Sequence, residues 1–67
     1  MASVCILIVG DEILSGEIRD ENGPFLLETL RDAGIAVPRV VTAPDDATAI
    51  GEESAHLRAL SDAVVVS

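Results

Sequence analysis

The chain has 67 residues, 49% of them hydrophobic, with one Phe, no Trp, no Tyr, 12 acidic residues, 4 basic residues and a formal net charge of −8. That length holds one small domain with an aliphatic core, burying about 60% of the surface its unfolded chain exposes. A single cysteine and a single histidine exclude an internal disulfide and leave no ligand set for structural zinc, and the acidic balance excludes a general nucleic-acid or anionic-membrane surface, both of which need positive charge.

Val4 to Val9 is a continuous run of apolar residues, rich in side chains branched at Cβ, ending at Gly10. Strand length and unbroken apolarity predict a strand buried on both faces, as in a parallel sheet. Gly10 to Gly23 reads as a long polar connection with two apolar teeth, Ile13 and Leu14. It exceeds the usual βα loop of about two to six residues, so it either carries function or folds back with a short strand around Glu17, Ile18 and Arg19. A helix follows, with Asn22 expected as N-cap and Pro24 in its first turn. Phe25, Leu26, Leu30 and Ala33 recur at helical spacing, and Gly34 supplies the stop.

Ile35 to Val41 reads as the second strand. Pro38 cannot donate to a ladder, which shifts the useful strand to Arg39–Thr42. Ala43, Pro44, Asp45 and Asp46 form a turn, and Asp45 or Asp46 caps a second helix in which Ile50, Leu57 and Leu60 share a face. Ala63 to Ser67 is the third strand. The order β-α-β-α-β predicts an α/β fold: a three-layer sandwich on a mostly parallel sheet. Residues 1–67 read as the N-terminal part of such a domain, because three strands make half of a doubly wound sheet. The third-strand edge, Val64 to Val66, is an association surface unless covered, and a homo-oligomer is expected.

Ligands of open α/β sheets bind outside the carboxyl ends of the strands. Gly10, Asp11 and Glu12 reach that edge after the first strand, and Thr42 to Asp46 reach it after the second. The spacing of Gly10 and Gly16 is neither a dinucleotide fingerprint nor a nucleoside-triphosphate loop, which also requires a Lys that this chain lacks. Gly10 is expected to allow a tight chain reversal beside a ligand. Asp11, Glu12 and Asp45 are candidate ligands for Mg²⁺, a hard cation that takes carboxylate oxygens. Without a cation these acids repel a phosphate. Asp11 and Asp45 are the candidate catalytic residues, acting through a cation that polarises the transferred group while backbone amides hold phosphates. Ser15 is read as a hydrogen-bond donor, Cys5 as a buried inert thiol, His56 as a surface residue and Arg39 as reaching solvent.

Val9-Gly10-Asp11-Glu12-Ile13-Leu14-Ser15-Gly16 resembles the opening of the molybdopterin-binding domain family, which includes molybdenum cofactor biosynthesis proteins and the N-terminal domain of competence/damage-inducible (CinA-like) proteins. The resemblance continues through Asp20-Glu21-Asn22, Ala33-Gly34-Ile35, Val41 to Asp46 and Ile50, and Asp62 to Ser67 is similar to the strand leading into the family's Gly-Gly-x-Gly segment. It implies an α/β sandwich about twice this length that binds molybdopterin or a nucleotide at the strand carboxyl ends. Members adenylate molybdopterin, insert molybdate or, in the CinA-like branch, are linked to pyrophosphate cleavage of ADP-ribose; the wording here is closest to that branch. On this resemblance Gly10, Asp11, Glu12, Ser15, Gly16, Thr42 and Asp45 are expected to contact a small phosphate-containing ligand, and Asp45 matches the family's acid after the second strand. The glycine-rich phosphate segment of the family falls beyond Ser67, so an enzyme is expected only in a longer chain; a non-catalytic assembly module is the other reading.

The N-terminus lacks a basic region of signal-peptide type and no apolar run nears the roughly 20 residues of a membrane span, so a cytoplasmic protein is expected. An all-Arg, acid-rich composition fits a high-salt cytoplasm, where a Debye length near 3 Å at 1 M salt softens self-repulsion. Circular dichroism across a salt series is therefore expected to show helicity rising from a poorly folded state at low salt; flat, native-like helicity throughout would contradict this.

Overall fold

The computed structural model describes residues 2–67. Its elements follow in the order β1 (Val4–Val9), α1 (Asp11–Ser15), α2 (Asn22–Asp32), β2 (Val40–Ala43), α3 (Ala47–Arg58) and β3 (Ala63–Val66). The three strands form one sheet in the order β2-β1-β3. Both pairings are parallel, with Ile8 opposite Thr42 and Val9 opposite Ala43 on one side, and Cys5 opposite Val64 and Leu7 opposite Val66 on the other. The predicted α/β class and parallel sheet are therefore observed.

Because β1 is the central strand, it is covered on both faces. Cys5, Ile6, Leu7 and Ile8 are all buried, as the unbroken apolar run requires. Alternation along the strand divides them. Cys5 and Leu7 join Ala43 and Leu57 in one cluster, flanked by Val9, Val41, Ile50 and Val64; this is the face under α3. Ile6 and Ile8 point the other way, toward buried Gly23 of α2, where an added Cβ would be in ordinary contact with Ile8 Cγ1 at 3.6 Å and would collide with the Asp20 carboxylate. The layers are α3, sheet, α2.

Several local expectations are corrected. The long connection after β1 contains α1 rather than a strand at Glu17–Arg19, and α1 buries none of its residues. Gly10 lies where the chain passes from β1 straight into α1, and it does so with extended backbone, φ 164°. The positive φ falls at Gly16, which closes α1 at 84°. Asn22 is not the N-cap of α2. It is the first helical residue, and Asp20 Oδ1 accepts the N–H of Asn22 at 3.0 Å and of Gly23 at 3.1 Å. Phe25 does not belong to the core stripe, being 68% exposed; Leu26, Leu27 and Leu30 are the half-buried residues of α2. Leu60 lies beyond the end of α3 and is also exposed.

Before β2, Ala36 forms an isolated parallel bridge with Ser3, and β2 itself starts only at Val40. Pro38 lies between these two pairings, where a missing N–H interrupts no ladder. Cys5 is buried, while His56 and Arg39 are exposed, as read from the sequence. Among the described residues no helix is long and apolar enough to cross a membrane.

Candidate functional site

Parallel pairing sends the carboxyl ends of all three strands to one edge of the sheet. Ser67 extends the ladder there: its N–H donates to Leu7 O at 2.9 Å and its carbonyl accepts the Val9 N–H at 2.8 Å. The chain after β1 is tied to the chain after β2 at the same edge. Gly10 N–H donates to Ala43 O at 3.1 Å, and Asp11 Oδ1 accepts the backbone N–H of Asp45 at 3.1 Å across 34 residues of sequence. The two loops predicted to converge do so.

Each side is held by its own helix start. Leu14 N–H donates to Gly10 O at 3.2 Å, closing the first turn of α1. On the other side Asp46, not Asp45, caps α3: its carboxylate accepts from Ala49 N–H at 2.9 Å, the exchange that makes aspartate a good N-cap. Asp46 N–H also donates to Pro44 O at 2.8 Å. With Asp46 engaged in the helix, the Asp45 side chain is left to face outward, and it is exposed.

The other predicted site residues are placed as follows. Glu12 is exposed, next to Asp11 in α1. Thr42 is half-buried in β2 beside Ile8, one residue short of the strand end. Ser15 Oγ donates to Glu12 O at 3.1 Å, so its hydroxyl proton is used within its own helix. Gly16 closes that helix, away from the Asp11–Asp45 contact. The structure thus unites Gly10, Asp11 and Asp45 and does not tie Ser15 or Gly16 to them. Sequence reasoning missed Asp20, whose carboxylate holds the start of α2; Asp two residues before Asn-Gly-Pro was the available signal.

Asp11, Glu12, Asp45 and Asp46 together make this edge strongly acidic. Among the described residues no three His, Cys, Asp or Glu side chains are gathered into a metal cage. Mg²⁺ needs no such cage, since it keeps several waters and takes one or two carboxylates plus phosphate oxygens. A separate open groove lies along α3 and β3, lined by Ser54, Arg58, Asp62 and Val64 among others. It includes none of the predicted site residues.

Comparison with known proteins adds a family. Residues 5–67 match the family described as probable molybdopterin binding domain. Curated relatives include a CinA-like protein of Citrifermentans bemidjiense, 47% identical over 96% of this chain and 16% of its own length, and one of Geobacter sulfurreducens, 39% identical over 96% of this chain and 16% of its own length. The crystal structure of the protein CinA with unknown function from Thermoplasma acidophilum superposes with a TM-score of 0.92 at 31% identity, covering 96% of this chain and 38% of that one. The chain therefore spans about a sixth of the CinA-like relatives, at 16% of their length.

Proposed function

This chain belongs to the probable molybdopterin-binding domain family, and from that premise we propose that its sheet edge binds a phosphate-ester or nucleotide ligand together with Mg²⁺. The observation that supports this most directly is the 3.1 Å bond from Asp45 N–H to Asp11 Oδ1, which joins the loops after β1 and β2 at the carboxyl edge. Ligands of open α/β sheets bind at that edge. Asp11 and Asp45, which that bond brings together, would supply the one or two carboxylates Mg²⁺ takes, with Glu12 next in α1, and the cation would offset the repulsion between these carboxylates and the ligand's phosphate.

The resemblance to CinA-like proteins directs the choice of ligand toward ADP-ribose. In a longer chain of this type the reaction is hydrolysis of the pyrophosphate: water adds to one phosphorus, the bridging P–O bond breaks, and two monophosphates leave. Molybdopterin adenylylation and molybdate insertion are the alternatives within the family. The structural observation favouring a non-catalytic assembly role is that β3 is an edge strand with Val66 53% exposed, an invitation to pairing.

Calorimetric titration of the chain with ADP-ribose, ATP and molybdopterin, each with and without MgCl₂, tests the proposal. At least one ligand is expected to bind tenfold or more tightly with Mg²⁺, and Asp45→Asn is expected to remove that gain. No heat with any ligand in either condition rejects it; a concentration-dependent rise in mass by sedimentation, without ligand binding, supports the assembly role.

A further inference from the structure

Resting on the reading that this edge takes a phosphate ligand with a cation, we infer that Asp11 is a positioning residue whose Oδ1 latches the Asp45 backbone and thereby sets where the Asp45 carboxylate stands. Pro44 has no N–H, so Asp45 carries the first backbone donor after the end of β2 at Ala43. Asp11 Oδ1 takes that donor at 3.1 Å. The residues on either side are fixed independently: Ala43 O accepts from Gly10 N–H at 3.1 Å, and Asp46 caps α3 through Ala49 N–H at 2.9 Å. Asp46 N–H to Pro44 O at 2.8 Å closes a turn around Asp45, and the Asp45 N–H itself is the loop donor taken by a side chain from elsewhere in the chain.

The latch also gives α1 a purpose that burial does not. This helix has five residues and fully buries none of them, with Ile13 half-buried, so hydrophobic docking contributes little to its formation. It begins directly after β1, with its first turn closed by Leu14 N–H to Gly10 O at 3.2 Å. That turn carries Asp11 beside the end of β2. Only Oδ1 is required for the bond, which leaves Oδ2 for a cation. The positioning role therefore needs an acceptor oxygen at position 11 and does not need its negative charge.

The test compares amide exchange by NMR in the wild-type chain, Asp11→Asn and Asp11→Ala. Asparagine keeps an Oδ1 acceptor without the charge, whereas alanine removes both. Exchange at the Asp45 amide is expected to accelerate at least fivefold in Asp11→Ala and less than twofold in Asp11→Asn, with the Cys5 and Leu7 amides unchanged as internal reporters of folding. Equal exchange at Asp45 in all three proteins, or acceleration as large in Asp11→Asn as in Asp11→Ala, overturns the latch. If Asp11→Ala loses protection at Cys5 and Leu7, the wild type decides: a scalar coupling through the hydrogen bond, from Asp45 nitrogen to the Asp11 carboxyl carbon, is expected, and its absence overturns the latch. Titration with Mn²⁺ alone separates this from the proposed function. Absence of line broadening at Asp45 and Glu12 in the wild type counts against the cation site. With the site present, Asp11→Ala is expected to weaken Mn²⁺ broadening at Asp45 at least tenfold, and Asp11→Asn by less.

Discussion

Leu57→Ala is expected to remove most of the chain's stability, whereas Leu60→Ala, three residues on, is expected to change it by less than about 0.5 kcal/mol. Leu57 is 1% exposed and sits in the cluster with Cys5, Leu7 and Ala43; it is the one fully buried residue of α3. Truncating a buried leucine costs about 2–5 kcal/mol, a transfer term plus the cavity that incomplete collapse leaves. A domain of this size has about 3–10 kcal/mol in total, at roughly 0.05–0.15 kcal/mol per residue. Urea unfolding followed by circular dichroism reads the difference. With a slope near 1 kcal/mol per molar, a loss of about 3 kcal/mol lowers the midpoint by about 3 M. Equal midpoints for the two variants would mean that α3 is not anchored through Leu57.

The contrast between these leucines also shows what periodicity reveals. Ile50, Leu57 and Leu60 share a helical phase, but α3 ends at Arg58, and the phase has no meaning past that point. Helix ends are set by caps and by the chain's need to turn into β3, neither of which appears in an apolar pattern. Similarly, Phe25 fits the spacing of α2 yet lies outside its half-buried stripe. Spacing defines several overlapping stripes, and contact with Ile8 through Gly23 selects one of them. The strands were easier to read. A six-residue run, Val4–Val9, buried on both faces has no competing phase, because every residue is apolar.

At the site, topology was legible and detail was not. Once β1 and β2 are parallel, Asp11 and Asp45 must share an edge. That the Asp11 carboxylate accepts a peptide N–H from 34 residues away depends on α1, whose five residues are too few for a period to show. Asp20 carried a signal, its place two residues before Asn-Gly-Pro, but an ambiguous one. Asn22 belongs to the same class of capping side chains, and only the backbone decides which of them stands outside the helix.

Gly34→Val is expected to destabilise the chain by about 2 kcal/mol, and Gly34→Asn by much less. Gly34 ends α2 with φ at 79°. Its N–H donates to Arg31 O at 3.0 Å, and the next residue, Ile35, donates to Leu30 O at 2.9 Å. These two bonds satisfy carbonyls that a helix terminus otherwise leaves open, and they form only if the residue between is left-handed. A Cβ at Gly34 meets nothing within 4 Å, so the Cβ itself has room and the cost argued here is conformational. Left-handed backbone costs about 1–2 kcal/mol for ordinary residues, is worst for a branched side chain and is tolerated by Asn. Gly51 supplies the control in the same urea experiment. Its added Cβ also meets open space, but it sits inside α3 with ordinary helical backbone, so Gly51→Ala is expected to stabilise by up to about 1 kcal/mol. Opposite signs at two equally open glycines would identify backbone conformation as the cause. Unchanged or raised stability in Gly34→Val would show that the turn after α2 does not require the left-handed residue.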